Sequence, residues 1–338
     1  MKKLKLGIIG AGSFFLKRYL EEISEEKRVE LVSLCRTDKN NLNKIGKLAG
    51  VKKLYSDAEN MMVKENLDFV LITSPHSKHF DHVKMALENN INVLIEKPLI
   101  VNENEKKKIQ SIIKKTKKKI ISIYNPPYEG HFHKLRSLIY NKSFGQIKYI
   151  NIFWSDNKID IYNNKFIISN SIKSKNFRFK KNIIDGSILF DSTLHLIAEL
   201  LWVSNKLPKR VFATVDSKIK PLSIKMFFDF GNNFYSDVYI KCDSKFTKRV
   251  FKSSFWGDFK KISVKGKPVK IVIEKFQNNK IIVIDKFKKV KNPINEMVDY
   301  LKYNKKPSLN IDMSLNLMSV IFAIKNSFKN NKIINVKY

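Results

Sequence analysis

The chain has 338 residues, 43% hydrophobic and 12% aromatic, which excludes a largely disordered protein and suits two domains. Its formal net charge is +34, but lysines occur in every segment, without an aromatic-interleaved basic stripe, zinc-finger spacing or RNA-binding motif. We therefore expect no specific nucleic-acid partner. Cys35 and Cys242 provide neither a disulfide framework nor a metal spacing, so a reducing cytoplasm is the expected location.

No apolar stretch approaches the roughly 20 residues that a membrane-spanning helix needs. The run from Leu4 to Gly12 follows two lysines as in a secretion signal, but glycines interrupt it and Lys17 and Arg18 follow closely. We interpret it as a buried first strand and expect no membrane partner.

The first 124 residues alternate apolar runs with amphipathic stretches, which is typical of a parallel, doubly wound α/β sheet. The predicted strands are Lys5–Ile9, Leu31–Cys35, Phe69–Thr73, Asn92–Glu96 and Ile120–Tyr124. The predicted helices are Phe14–Glu22, Asn41–Ala49, Phe80–Glu88 and Glu103–Lys117.

Residues 125–338 follow a different order, which predicts an α+β domain with an open, mostly antiparallel sheet. Predicted helices are Phe132–Tyr140, Ile188–Trp202, Ile294–Tyr303 and Met313–Asn326, and a loop-rich region extends to about Asn182. Predicted strands are Lys148–Trp154, Arg210–Val215, Ile224–Phe230, Phe234–Cys242, Lys248–Phe255, Lys260–Val264, Val269–Glu274 and Ile281–Phe287. The helices within 294–326 are expected to pack back on the first domain.

A glycine-rich turn, Gly7-Ile8-Ile9-Gly10-Ala11-Gly12-Ser13-Phe14-Phe15, follows the first strand. Gly10 permits the tight turn, Gly12 lets the backbone approach a pyrophosphate, and the helix beginning near Ser13 and Phe14 offers free N–H groups. Phe15 occupies the third small position of this fingerprint and departs from it. The placement between a strand and a helix predicts dinucleotide binding.

Arg36 and Thr37 follow the second strand, where a site selective for NAD carries an acidic residue. A guanidinium there favours a 2′-phosphate through charge-assisted hydrogen bonds. We therefore expect NADP(H) as the cofactor, with NAD(H) as the alternative.

Two further strand ends face the same predicted cleft. The strand Phe69–Thr73 leads into Thr73-Ser74-Pro75 and His79, and the strand Asn92–Glu96 ends in Glu96-Lys97-Pro98. A partly buried lysine has a lowered pKa, which helps it share a proton as hydride moves. His76, His79 and His82 lack the spacing and partners of a metal site, so no metal is predicted.

Asp191 and His195 lie four residues apart in a predicted apolar helix, so both would project from one face. A carboxylate and an imidazole placed together can hold a hydroxyl and remove its proton. A pair that only stabilises the fold is the alternative.

In this order, the motifs resemble the glucose-fructose oxidoreductase / inositol dehydrogenase / rhizopine-catabolism (Gfo/Idh/MocA) family along nearly the whole chain, including the step Gly145-Gln146-Ile147. The resemblance implies a Rossmann domain and a C-terminal domain whose open sheet forms homodimers or homotetramers. It also implies that Lys97, Asp191 and His195 are catalytic.

The chain departs from the family at Asn125-Pro126-Pro127, where relatives often carry an Arg after an Asn, and at Asp185-Gly186, where paired glycines are common. We assign Asn125, Asp191 and His195 to the substrate. The cofactor set is Gly10, Gly12, Ser13, Phe14, Arg36, Thr37, Thr73, Pro75, His79, Glu96 and Lys97.

The sequence thus predicts an NADP(H)-dependent oxidoreductase that transfers hydride to or from a sugar, polyol or nucleotide-sugar carbon, with keto-sugar reduction favoured. Three alternatives stay open at this point: a reductase of a non-sugar carbonyl or conjugated double bond, a cofactor-binding regulator without catalysis, and a nucleic-acid binder. The first two would not need Lys97, Asp191 and His195 together.

Overall fold

The computed structural model describes residues 2–156, 188–218, 221–243 and 249–338. The predicted loop-rich region up to Asn182 and the Asp185-Gly186 step lie outside these ranges. Contacts divide the chain into two compact units. The first contains residues 2–123 and Lys291–Leu315, and the second contains the described residues from Tyr124 to Val290 together with Asn316–Tyr338. No helix within the described ranges has both the length and the apolar character to cross a membrane.

The first unit contains six parallel strands in the order β3-β2-β1-β4-β5-β6. They are β1 (Leu4–Ile9), β2 (Val29–Cys35), β3 (Lys53–Tyr55), β4 (Phe69–Ile72), β5 (Asn92–Glu96) and β6 (Ile120–Ile123). The central strand β4 is fully buried, as expected for a sheet covered on both faces. Chain order reverses between β1 and β4, where sheets of this type bind ligands at the carboxyl ends of their strands.

The helices of the first unit are α1 (Ser13–Arg18), α2 (Leu20–Glu25), α3 (Lys39–Ala49), α4 (Ala58–Lys64), α5 (His79–Glu88), α6 (Glu103–Thr116) and α9 (Pro293–Tyr303). Two contacts hold α9 to the rest of this unit. Arg28 Nη1 donates to Asp299 Oδ1 at 2.8 Å, and Lys119 Nζ donates to the Tyr300 carbonyl at 2.6 Å.

Most predicted elements of this unit are present within a few residues of their predicted ends. The single helix predicted over Phe14–Glu22 is wrong, because Tyr19 separates α1 from α2. The Tyr19 ring is fully buried and its hydroxyl donates to Glu96, which fixes the chain at the break. The short β3 and α4 were not predicted.

The second unit contains nine described strands in the order β14-β13-β12-β11-β7-β10-β9-β8-β15. They are β7 (Tyr149–Asp156), β8 (Arg210–Val215), β9 (Ser223–Gly231), β10 (Phe234–Cys242), β11 (Val250–Trp256), β12 (Lys260–Lys265), β13 (Lys270–Lys275), β14 (Ile281–Ile284) and β15 (Ile334–Asn335). Their pairing is antiparallel except between β7 and β10, which are parallel. The mostly antiparallel sheet is therefore confirmed.

The described helices of this part of the chain are α7 (Gly130–Ile139), α8 (Thr193–Ser204) and α10 (Ile311–Asn330). Helix α10 belongs to the second unit from Asn316 onward, and its first residues belong to the first unit. The predicted start of α8 at Ile188 is wrong. The backbone N–H groups of Ser192 and Thr193 both donate to the Ile188 carbonyl, which closes a turn before the helix. The apolar residues 188–190 are buried in that turn, so their hydrophobicity reflects burial and not helix formation.

Candidate active site

The turn between β1 and α1 leaves no room for a side chain at Gly10 and little at Gly12. Gly10 has φ of +88°, and a Cβ there would lie 2.4 Å from the Ser74 backbone nitrogen. A Cβ on Gly12 would lie 3.0 Å from Arg36 Nη1. Ser13 begins α1, and the Phe14 side chain is exposed. The turn therefore presents bare backbone at the end of β1, as close approach of a pyrophosphate requires.

Arg36 follows the last residue of β2 and bends over this turn. Its Nη1 donates to the Ala11 carbonyl at 3.2 Å, and Nη2 lies 3.9 Å from Asp38 Oδ2. Its Nε is buried and has no hydrogen-bond partner among the described residues. Thr37, next to it, is exposed. A guanidinium held beside the glycine turn with an unused N–H is suited to receiving a phosphate.

The end of β4 is tied to the glycine turn. Thr73 Oγ1 donates to the Gly10 carbonyl at 3.0 Å, and Ser74 Oγ lies 2.9 Å from His82 Nδ1. Pro75 follows, half-buried, at the start of a short 3-10 turn. These contacts fix the carboxyl ends of β1 and β4 against each other.

His79 is buried at the start of α5, and its two ring nitrogens lie against backbone carbonyls. Nδ1 is 2.6 Å from the Pro98 oxygen and Nε2 is 2.8 Å from the Ser74 oxygen. Burial lowers the pKa of His79 to about 4, so at neutral pH its single N–H donates to one carbonyl at a time. The structure thus places this predicted cofactor residue between the segments that follow β4 and β5.

Lys97 directly follows β5 and is buried, with only 6% of its surface exposed. Its backbone N–H donates to Glu96 Oε2 at 3.2 Å, and Glu96 also accepts from the Tyr19 hydroxyl. Burial raises the pKa of the Glu96 carboxyl above its usual range. Glu96 is therefore engaged with protein groups on both sides, which holds the residue before Lys97 in place.

The other predicted catalytic residues belong to the second unit. Asp191 is buried in the turn before α8, and His195 lies in the first turn of the helix, where its backbone N–H donates to the Ser192 carbonyl at 3.1 Å. Asp191 therefore precedes the helix that contains His195, and their pairing stays a prediction. Asp191 and His195 thus belong to the second unit, and Lys97 belongs to the first.

A cavity of about 190 Å³ lies within the second unit. Asn125 and His195 line it, so the structure brings together two of the three predicted substrate residues. The cavity is also lined by Trp154, Glu199, Arg249 and Lys267. None of these four was predicted as a site residue.

Electrostatic conditions in this cavity are unusual. Glu199 is 1% exposed, and burial raises its pKa to about 8, partly offset by the nearby Ser253 hydroxyl. Burial also lowers the pKa of His131 to about 4, so its contact with Glu129 at 3.5 Å is not an ion pair at neutral pH. Both groups are thus predominantly neutral at pH 7.

Part of the chain matches a known protein family. Residues 4–124 match the profile of the oxidoreductase family with an NAD-binding Rossmann fold, Gfo/Idh/MocA. Over these residues the chain is similar to this family, in agreement with the predicted resemblance.

Individual relatives match parts of this chain. D-apiose dehydrogenase of Paraburkholderia graminis is 33% identical over 98 residues, covering 29% of this chain and 26% of that protein. Glucose-6-phosphate 3-dehydrogenase of Bacillus subtilis is 26% identical over 219 residues, covering 64% and 59%. The chain thus spans between about a quarter and three fifths of these relatives.

Solved structures extend the likeness of fold to almost the whole chain. An oxidoreductase from Agrobacterium radiobacter, in complex with NAD⁺, L-tartaric acid and magnesium, has a TM-score of 0.83 at 15% identity and covers 99% of each chain. Myo-inositol 2-dehydrogenase from Lactobacillus plantarum has a TM-score of 0.78 at 17% identity, covering 99% of this chain and 100% of that one. Both units therefore follow a known fold.

Tyr19 and Glu199 are site residues that sequence reasoning missed. Tyr19 lies in an amphipathic stretch, and nothing in the sequence indicates its hydrogen bond to a residue 77 positions away. Glu199 did leave a signal, since it is an acidic residue within the apolar run Leu194–Val203. An isolated carboxyl in such a run is costly to bury and indicates a functional position.

Proposed function

We propose that this protein is an NADP(H)-dependent oxidoreductase that transfers hydride to or from a carbon of a sugar, polyol or nucleotide sugar. The observation that carries the proposal is the guanidinium of Arg36 beside the Gly10–Gly12 turn. The bare turn suits a pyrophosphate, and the buried Nε of Arg36 suits a 2′-phosphate. The names of the curated relatives, dehydrogenases of D-apiose and glucose 6-phosphate, support a sugar-like substrate.

The residues that would hold the cofactor are Gly10, Gly12, Ser13, Phe14, Arg36, Thr37, Thr73, Pro75, His79, Glu96 and Lys97. When bound, NADP(H) supplies or accepts the hydride. Gly10 and Gly12 admit the pyrophosphate, and Arg36 selects the 2′-phosphate. Thr73 and His79 support the strand ends and hold the turn in position. NADPH favours reduction of a keto-sugar as the working direction.

Proton transfer falls to side chains of both units. His195 exchanges the proton with the reacting oxygen, because an imidazole titrates near neutral pH. Lys97 donates a hydrogen bond to the same oxygen and stabilises negative charge on it. Asp191 and Asn125 hold neighbouring substrate hydroxyls.

The experiment that tests this proposal is a screen of keto-sugars, polyols and nucleotide sugars with NADPH or NADP⁺, followed by nicotinamide absorbance. Lys97→Ala and His195→Ala should each lower kcat by about 10²–10⁴ while leaving the thermal unfolding midpoint unchanged. Lys114→Ala, an exposed lysine of α6, is the control and should leave kcat unchanged. Near wild-type turnover in either active-site variant would remove that residue from the mechanism, and a large fall in the midpoint would assign it a structural role.

The open sheet of the second unit supports a homodimer or homotetramer. Phe227 of β9 and Tyr235 of β10 are exposed on it, 43% and 39%, and their rings stack at 5.8 Å. Exposed aromatic residues on a sheet face are typical of subunit interfaces. Analytical ultracentrifugation should show an oligomer that Phe227→Lys with Tyr235→Lys dissociates, and a monomeric wild type would contradict this part.

A further inference from the structure

The cavity of the second unit contains a buried acid that the proposed reaction does not use. Oε1 of Glu199 is inaccessible to solvent and has no hydrogen-bond partner among the described residues. Burying an unsatisfied carboxyl is costly, so a cavity-lining one calls for an explanation. A protonated carboxyl can both donate and accept, which suits a hydroxyl group of a ligand.

Cationic groups line the same cavity. The Arg249 guanidinium lies 4.8 Å from the centre of the Trp154 ring, within the range of a cation–π interaction. Lys267, in the hairpin between β12 and β13, contributes a second positive charge, and its ammonium group is mobile enough to follow a ligand. Because Glu199 and His131 are neutral, Glu129 is the acidic residue that opposes these two positive charges among the described lining residues.

Trp154 connects this cationic region with the proton-transfer group. The centre of its ring is 6.3 Å from that of the His195 ring and 4.8 Å from the Arg249 guanidinium, so both groups adjoin the same indole. A ligand that reaches from Arg249 to His195 would therefore contact this indole ring. That spacing suits a charged group separated from the reacting carbon by several bonds.

The size of the cavity limits what it accepts. Its volume of about 190 Å³ exceeds what single waters need and is below the roughly 300–1,000 Å³ of pockets that enclose a whole drug-sized ligand. It therefore suits one end of a substrate.

We propose that this cavity is a subsite for an anionic sugar, in which Arg249 and Lys267 bind a phosphate or carboxylate group and Glu199 hydrogen-bonds an adjoining hydroxyl. This inference names the substrate class of the proposed oxidoreductase and rests on that function. A charge-assisted contact contributes about 1.5–3 kcal/mol, which corresponds to roughly 10-fold to 100-fold in affinity.

Isothermal titration calorimetry on the full chain with NADP⁺ would test the subsite, using D-glucose 6-phosphate, D-glucuronate, D-glucose and inorganic phosphate as probes. At least one anionic sugar should bind roughly tenfold or more tightly than D-glucose. A preference for the phosphate sugar assigns the subsite to phosphate, and one for glucuronate assigns it to carboxylate. Equal binding of D-glucose and both anionic sugars, or inorganic phosphate binding as tightly as the sugar, would overturn the proposal.

Variants separate the subsite from general effects of charge. Arg249→Gln and Lys267→Gln should abolish the preference for the anionic sugar, whereas Lys265→Gln, an exposed lysine of the same hairpin, should preserve it. Arg249→Lys keeps the charge and should retain part of the preference if Arg249→Gln fails to fold. Glu199→Leu should weaken binding more than Glu199→Gln, which keeps a neutral hydrogen-bonding group. Equal effects of Lys265→Gln and Lys267→Gln would contradict the role of Lys267.

The outcomes also distinguish this proposal from the proposed function. Turnover of neutral sugars with no preference for anionic ones would overturn the subsite and leave the oxidoreductase function standing. Binding of the anionic sugar that depends on Arg249, without turnover of any probe, would support the subsite while counting against the function.

Discussion

The guanidinium of Arg36 lies beside the glycine turn, with its Nη1 3.2 Å from the Ala11 carbonyl oxygen. Asp38, the nearest carboxylate, is 3.9 Å away and 45% exposed, so it only weakly offsets the positive charge. Position and charge together make Arg36 the residue on which discrimination between NADP(H) and NAD(H) depends.

We expect Arg36→Asp to weaken NADPH binding by roughly 10-fold to 100-fold and to change NADH binding little, because only NADPH carries the 2′-phosphate. Fluorescence titration of both cofactors measures the two dissociation constants. Lys44→Asp makes the same change of charge on the exposed face of α3 and should affect neither. Wild-type protein that binds NADH at least as tightly as NADPH would refute the assigned preference.

Glu199 makes folding stability depend on pH. Its pKa rises from 4.5 in the unfolded chain to about 8 in the folded protein because of burial. Between these values the unfolded chain has released the proton that the folded protein retains. The contribution of Glu199 is therefore fully present below pH 4.5 and is lost as the pH rises to about 8.

Glu199→Gln should remove this loss, so the variant should gain stability relative to wild type as the pH rises from about 5 to about 8. The expected gain is up to about 1.4 kcal/mol per pH unit, from the free energy of one pKa unit. Urea unfolding across that range measures it, and Glu59→Gln, at an exposed position of α4, should show no such gain. Parallel stability profiles for wild type and Glu199→Gln would show that Glu199 titrates normally.

At the scale of elements, the connection of β1 to α1 depends on close backbone contact with the end of β4. Gly10 combines a left-handed φ of +88° with a missing Cβ that would lie 2.4 Å from the Ser74 nitrogen. Gly50 after α3 has a similar φ of +67° but nothing within 4 Å of its missing Cβ. Comparing substitutions at Gly10 and Gly50 therefore separates the free-energy cost of a left-handed backbone from that of the close contact with Ser74.

We expect Gly50→Ala to lower the free energy of unfolding by about 1 kcal/mol, the cost of the left-handed conformation alone. Gly10→Ala should cost about 3 kcal/mol or more, because the backbone of Ser74 must also move, and it should abolish cofactor binding. Urea unfolding and cofactor titration check both. Equal costs would show that the turn and the end of β4 are not in contact as described.

The predicted ends of β5, β8 and β10 agree with the structure. The break at Tyr19 and the true start of α8 escaped prediction. Both depend on distant or local hydrogen bonds that periodicity does not encode, the first to Glu96 and the second to the Ile188 carbonyl.

At the scale of the whole molecule, the net charge of +34 affects behaviour in solution more than specific recognition. The lysines are dispersed along the chain and form no nucleic-acid motif. Attraction to a polyanion then comes from counterion release, which is independent of base sequence and weakens steeply with salt.

We therefore expect mixed-sequence DNA to bind weakly at about 50 mM salt and to dissociate by about 200 mM, without preference for sequence. Fluorescence anisotropy with two unrelated duplexes measures this. Tight binding that persists at the higher salt and distinguishes the duplexes would restore the nucleic-acid alternative.

The sequence by itself determined the fold class and the positions of the glycine turn, Arg36 and Lys97, because each follows from a local pattern of apolar strands and the residues at their ends. The tertiary structure decided what surrounds these groups. It placed Arg36 over the turn, tied Tyr19 to Glu96, paired β7 in parallel with β10 and gathered Trp154, Glu199 and Arg249 around one cavity. Such contacts join residues far apart in the chain, and their burial sets the charge state of Glu199, so only the folded protein reveals them.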